Sequence, residues 1–199
     1  KKYEELNLIV VHLGGGISVG AHRKGLVIDV NNALNGEGPI SPERAGTVPS
    51  EALATLCFSG KYTLNEVKKM LHGKAGLAAY LGTSDMITIE EKAIEGKEPY
   101  KTLVAAMDYT VAKEIGAMFV ALKGQCDAII LTGGIAYSDY CVADIKEQIE
   151  YLCKVVVLPG ENEMESLAEN AFGALTGELP VLTYTGVSCA EEIPGMAEA

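Results

Sequence analysis

Arginine is nearly absent from this chain. Arg23 and Arg44 are the two among 16 basic residues, against 27 acidic ones, and the formal net charge is −11. No basic stripe is visible, which argues against nucleic acid or an anionic membrane surface as a partner. No apolar run approaches the length of a membrane span, and no secretory pattern opens the chain. Tryptophan is absent, and Cys57, Cys126, Cys141, Cys153 and Cys189 include no CxxC pair. That odd count fits neither a zinc site nor a disulfide framework. The cysteines read as reduced and mostly core residues of a cytoplasmic protein. The chain does not begin with Met, and KKYEE at its start reads as the end of a helix cut from something longer. With 48% apolar and 22% charged residues over 199 positions, it is globular, suits one domain and can bury a core.

The stretch LNLIVVHLGGGISVGAHRKGLVIDVNN, residues 6–32, organises the rest. It predicts strands over 6–12, 17–22 and 26–30, the last two joined by a tight Lys24-Gly25 turn. The first link is Leu13-Gly14-Gly15-Gly16. Three successive glycines cost backbone entropy. They either cradle an anion on converging N–H groups or make a permissive turn. No GxxxxGK-Ser/Thr and no helix-opening GxGxxG is present, so a phosphate bound here would sit in a β-hairpin loop. That arrangement resembles the actin, heat-shock ATPase and sugar kinase superfamily.

Residues 31–49, NNALNGEGPISPERAGTVP, read as a loop too long for a mere connection. Helices are expected over 50–59, from the Thr63/Glu66 capping box to His72, and from Ser84 or Thr88 to about Gly96. The longest is expected over 102–123, with Val104, Met107, Val111, Ile115, Met118, Phe119 and Leu122 on one face. A strand at 128–131 leads into Thr132-Gly133-Gly134. A Ser138-capped helix carries Val142, Ile145, Ile149 and Leu152, and a strand at 155–158 follows. An Asn162/Glu165 capping box then opens a helix to about Thr176. Beyond Pro180 no element is predicted, and the last residues read as frayed. The order predicts an α/β fold: a ribonuclease-H-like mixed sheet with flanking helices, one half of the two-domain superfamily named above.

Several residues carry two readings. Paired glycines after a buried strand, Gly133 and Gly134, let a nucleoside lie on the backbone or simply relieve a turn. His12 is aimed at the glycine loop or is a hydrogen-bonded core histidine. Arg44 clamps phosphate or carboxylate, or is a solvated loop residue. Arg23 reads as a turn residue. Asp85 and Glu163 each begin a helix, where the dipole favours a carboxylate; Glu163 could also hold a metal ion through water.

Taken together, residues 10–25, 28–49, 56–61, 77–85, 130–136 and 159–163 resemble the acetate kinase family of carboxylate kinases, butyrate kinases most closely. HLGGGIS with ERAGT is the specific pair. The resemblance covers most of the chain to about Leu175. It implies that His12 contacts the transferred phosphoryl group and that Gly14, Gly15 and Gly16 surround the nucleotide phosphates. It makes Arg44 the arginine that stabilises the transition state. Asp85, Gly133 and Gly134 fall to the adenosine pocket, and Glu163 to the magnesium. Acetate kinases carry an aromatic-Arg pair where this chain has Met86-Ile87, and Glu-Asn where it has Tyr137-Ser138. The family also has a preceding domain, so residues 1–199 are expected to be a C-terminal nucleotide-binding half. The implied reaction moves phosphate between ATP, with Mg2+, and butyrate or another short-chain carboxylate. Acetate or propionate kinase is the alternative, as is a nucleotide-binding module inactive alone. Apolar surface left where the first domain docks is expected to drive association into a homo-oligomer.

Overall fold

The computed structural model describes residues 1–181 and Thr183. Cys189 and the expected fraying of the last residues lie outside them. Two compact units make up the chain, Lys1–Glu161 and one that begins at Asn162. No helix among the described residues is long and apolar enough to cross a membrane.

The first unit is built on one five-stranded sheet. Strands β1 (Asn7–Leu13), β2 (Ile17–Arg23) and β3 (Leu26–Val30) form an antiparallel meander, as the glycine loop and the Lys24-Gly25 turn predict. Lys24 and Gly25 both have positive φ, 51° and 85°, the pattern that matches hairpin twist. Strands β4 (Ala128–Gly133) and β5 (Val155–Pro159) add in parallel on the other side of β1, giving the order β3-β2-β1-β4-β5. This is the expected ribonuclease-H-like mixed sheet.

Between β3 and β4 run α1 (Ser50–Phe58), α2 (Leu64–Leu71), α3 (Gly76–Leu81), α4 (Met86–Ile94) and α5 (Tyr100–Ala121); α6 (Asp139–Ile149) joins β4 to β5. The α5 stripe predicted from sequence is the core: Val104, Met107, Val111, Ile115, Met118 and Leu122 are buried with Ile9, Val11, Val19, Ile129 and Leu131 of the sheet. Each such side chain contributes roughly 1.5–3 kcal/mol by leaving water. Phe119 is only partly buried. Of the four described cysteines, all free, Cys141 is buried and Cys126 and Cys153 partly so; Cys57 is exposed, against expectation, because α1 buries no residue at all.

Side-chain caps open three of the seven described α-helices, α2, α4 and α6. Thr63 and Glu66 form the expected reciprocal box, and Ser138 accepts from the Cys141 N–H at 3.0 Å. The cap of α4 is Asp85 rather than Ser84 or Thr88. The Asn162/Glu165 box does not form. Asn162, at φ −101° and ψ 36°, leaves its side chain without a cap bond, although α7 (Glu163–Thr176) still begins there and ends at left-handed Gly177. Strand β4 runs two residues further than expected, through Gly133, because β5 pairs with it to Pro159.

One buried polar residue disturbs this core. Asp108 on α5 is fully buried, and neither carboxyl oxygen has a hydrogen-bond partner among the described residues. Burial, reinforced by the Asp144 carboxylate, pushes its pKa up to about 8. Its proton is held more tightly folded than unfolded, so this group's contribution to stability is whole below the unfolded value near 4 and is lost as pH rises toward 8. Asp108→Asn is therefore expected to flatten the fall in stability between those pH values and to raise the melting temperature most at pH 8. Calorimetric melts across that range check this; a parallel pH dependence in wild type and variant contradicts it.

Candidate functional site

The parallel strands β1, β4 and β5 end at one edge of the sheet, where mixed α/β folds present their binding residues. His12 pairs with Thr132 on one side and Ser18 on the other. The strand ends are stitched tightly. Gly133 and Gly160 exchange backbone hydrogen bonds of 3.1 and 3.2 Å, and the Thr132 hydroxyl donates to the Gly160 carbonyl at 3.2 Å. Gly133 has φ 92°, and a Cβ there would lie 2.5 Å from the Leu13 carbonyl oxygen. It is a glycine because β1's backbone passes against it. Gly134 differs: a Cβ would meet nothing within 4 Å, and the residue is exposed at the start of a short 3-10 turn, Gly134–Tyr137.

The glycine loop is held from the side by the long loop after β3. Ser41 is fully buried, and all its polar groups are used. Its hydroxyl donates to the Gly15 carbonyl at 2.7 Å and accepts from the Arg44 N–H at 3.1 Å. Its N–H donates to the Arg44 carbonyl, and its carbonyl accepts from the Leu77 N–H. The Glu43 N–H also donates to Gly15 O at 3.1 Å. This lacing lays the Arg44 guanidinium on Gly16, where a Cβ would coincide with it. The guanidinium makes no ion pair and no side-chain hydrogen bond among the described residues. Arg23, in contrast, donates to the Ala121 carbonyl at the end of α5, 3.0 Å away.

Two adjoining cavities open beside this loop. One, of about 340 Å³, is lined by Gly14, Gly15, Ser84, Asp85 and Glu161. The other, of about 430 Å³, is lined by Glu90, Tyr137 and Ser138. Met86, Ile87, Gly134 and Ile135 line both, so they form one cleft. The cleft-lining Glu161 has its Oε1 3.4 Å from His12 Nε2. Asp85 accepts from the Ile87 N–H at 3.2 Å and from the Thr88 hydroxyl at 2.6 Å, which holds its carboxyl below the usual range. A larger cavity of about 610 Å³ lies between α1 and the residues before α2. None of the expected site residues lines it, so it does not compete.

Of the expected residues, Gly14, Gly15, Asp85 and Gly134 line the cleft; His12 touches the cleft-lining Glu161, Arg44 lies over Gly16 beside the glycine loop, and Gly133 packs on the Leu13 backbone. Glu163 is an exposed residue at the start of α7 in the second unit. Ser41, Glu43 and Glu161 were not singled out from sequence. Glu43 accepts from the Ser84 hydroxyl at 3.2 Å and lies beside Gly15. All three lie in stretches that carry the resemblance, Ser41 and Glu43 in 28–49 and Glu161 in 159–163, but nothing in those stretches points to them. Among the described residues no three His, Cys, Asp or Glu side chains gather as a metal site.

Ser41→Ala is expected to lower stability by about 1–3 kcal/mol, because it strands the part-buried Arg44 N–H and removes one of two bonds to the Gly15 carbonyl. Urea unfolding measures this. A loss within error would mean that the Glu43 bond alone holds the two loops together.

The acetokinase family model matches residues 1–173. The chain is 72% identical over 184 residues to the probable butyrate kinase of Phocaeicola vulgatus, covering 92% of this chain and 52% of that protein. It is 55% identical over 183 residues to the probable butyrate kinase of Bacteroides thetaiotaomicron, again covering 92% of this chain and 52% of that one. The chain therefore spans about half the length of the curated relatives it matches. Among solved structures, the acetate kinase of Porphyromonas gingivalis superposes with a TM-score of 0.79 at 22% identity, covering 87% of this chain and 50% of that one. With the family match extending over nearly all the described residues, the chain belongs to the acetokinase family.

Proposed function

We propose that residues 1–199 are the C-terminal, nucleotide-binding half of a carboxylate kinase, one that transfers phosphate between ATP and butyrate or another short-chain carboxylate. The observation that carries the reading is the Arg44 guanidinium, unpaired among the described residues and laid over Gly16, the neighbour of the cleft-lining Gly14 and Gly15. In a chain of net charge −11, a cation held without a partner beside exposed glycine backbone suits an anion. Identity to two probable butyrate kinases favours butyrate over acetate.

In this reading the phosphates lie on Gly14, Gly15 and Gly16, and the adenosine runs along Gly133, Gly134 and Asp85 into the cleft. His12 donates a hydrogen bond to a phosphoryl oxygen, exchanging its Glu161 contact for the ligand. Arg44 holds two oxygens of the migrating phosphoryl group in its planar fork, which a lysine point charge does not match. Phosphoryl transfer needs positioning and charge compensation more than covalent chemistry from the protein. Mg2+, arriving with ATP, would supply part of that compensation, and Glu163 is the carboxylate that the resemblance assigns to it. The rest of the cleft, and part of the acyl pocket, belong to the other half. The reading extends to association of copies in the cytoplasm. Leu26, Val27, Ile28 and Val30 of edge strand β3 and Phe58 of α1 are all exposed apolar side chains.

The test is acyl phosphate formation by the full-length protein with butyrate, propionate and acetate as substrates. Arg44→Ala and Arg44→Lys are both expected to lose roughly 10³-fold in turnover, or about 4 kcal/mol. ATP affinity should stay near wild type, and Arg23→Ala should retain full turnover. Arg44→Lys working within a few-fold of wild type would reduce Arg44 to a replaceable charge and sink its assigned role. Gly134→Val gives a second readout, since a Cβ there would meet nothing within 4 Å. It should melt as wild type does yet bind MgATP at least tenfold more weakly, whereas normal binding would remove Gly134 from the nucleotide path.

A further inference from the structure

The inner end of the cleft holds a charge that the proposed reaction does not use. Glu90 is half-buried on α4, and its carboxylate makes no hydrogen bond or ion pair among the described residues. The walls beside it are apolar: Met86, Ile87 and Ile135. Of the polar side chains lining the same cavity, the Ser138 hydroxyl accepts from the Cys141 N–H and makes no bond to Glu90, and the Tyr137 hydroxyl lies against Gly160. A half-buried carboxylate with no protein donor, facing an apolar cavity, costs free energy unless a ligand supplies the donor.

Position along α4 says which part of a ligand that is. Asp85 and Met86 line the cavity that contains Gly14 and Gly15, whereas Glu90 lines only the cavity beyond it. Four residues of helix separate Met86 from Glu90, about 6 Å at ~1.5 Å per residue. A nucleotide with its phosphates on the glycine loop has its ribose over the shared residues, Met86 and Gly134. Its base then reaches the inner cavity, whose volume of about 430 Å³ admits a purine.

We propose that the Glu90 carboxylate reads the nucleobase by accepting a hydrogen bond from the 6-amino group of adenine. The inference rests on the nucleotide-binding role proposed above. An ionised carboxylate only accepts, so it rewards a base with an exocyclic donor at that edge and gives nothing to one without it. The selectivity comes from the stranded acceptor: a base lacking the amine leaves Glu90 desolvated and unpaired, while apolar contacts with Met86, Ile87 and Ile135 hold any purine equally.

Calorimetric titration of the full-length protein tests this with three magnesium nucleotides: ATP, purine riboside triphosphate, which lacks the 6-amino group, and 2′-deoxy-ATP. Wild type is expected to bind ATP about tenfold or more tightly than purine riboside triphosphate, the size of one charge-assisted hydrogen bond. Glu90→Met should bind the two alike, and Glu90→Gln, which keeps a neutral acceptor, should fall between. Matching melting curves confirm that the variants fold, and the ratio between nucleotides is unaffected by a general change in pocket polarity. An unchanged ratio in Glu90→Met overturns the proposal while leaving nucleotide binding intact. Loss of discrimination against 2′-deoxy-ATP instead would put the carboxylate on the ribose and overturn the base reading. Failure of wild type to bind any of the three would overturn the nucleotide-binding role itself, and this inference with it.

Discussion

The Ser41 hydroxyl joins two loops that neither sheet nor helix would otherwise hold together. One is the glycine turn between β1 and β2; the other is the long segment carrying Arg44. Because the hydroxyl donates to Gly15 and accepts from Arg44, a shift of either loop strands a buried polar group. The rest of the segment is tied by the same logic. The Ala45 N–H reaches the Leu71 carbonyl, the Gly73 N–H reaches Glu43, and the first N–H groups of α3 find Ser41 and Pro42. The helix ends thereby satisfy their orphan donors on the loop, and the loop gains a fixed course without regular structure of its own. On that fixed course the Arg44 side chain is laid over Gly16, and the glycine is needed because the guanidinium fills the space of a side chain.

A second lacing sets the sheet edge. Asn31 follows the last residue of β3 and replaces the strand with its own amide. Its Oδ1 accepts from the Val19 N–H at 2.7 Å, and its Nδ2 donates to the Ile17 and Glu37 carbonyls at 3.1 and 3.0 Å. The chain can thus leave the sheet early without stranding β2's backbone. Its departure frees the segment that carries Ser41 and Arg44 to turn back over the glycine loop. Site geometry and strand termination are one event in the chain.

Much of this was legible in the sequence because it depends on local rules. The period of α5, the Thr63/Glu66 box, the Lys24-Gly25 turn and the Ser138 cap each follow from residues within one helical turn or hairpin. The helix-start reading of Asp85 was legible: it holds the first turn of α4, and the same residue lines the cleft. Ser41 and Glu161 were not legible. Their partners, Gly15 and His12, are distant in sequence, and nothing in the identity of a serine or a glutamate announces a contact at that range. Asn162 failed for the opposite reason. Its residue types satisfy the box pattern, but its backbone is not extended, so the motif lacks the dihedral angles that make it a cap.

The two glycines after β4 show how one residue type serves two constraints side by side. Gly133 is required by the protein, since β1's backbone lies where a side chain would be. Gly134 is required by nothing within the described structure. Glycine at an exposed position with open space costs entropy on folding and returns no packing. A ligand lying against the backbone would account for it. The same reasoning applies at Glu90, where a half-buried acceptor lacks a donor, and at Arg44, where a cation lacks an anion. Gly134 and Glu90 line the cleft, and the Arg44 guanidinium lies over Gly16, next to the cleft-lining Gly14 and Gly15. Each lacks what a different part of one molecule supplies, and from Arg44 through Gly134 to Glu90 the three follow the order phosphate, sugar, base, which is a stronger argument for a nucleotide than any one of them.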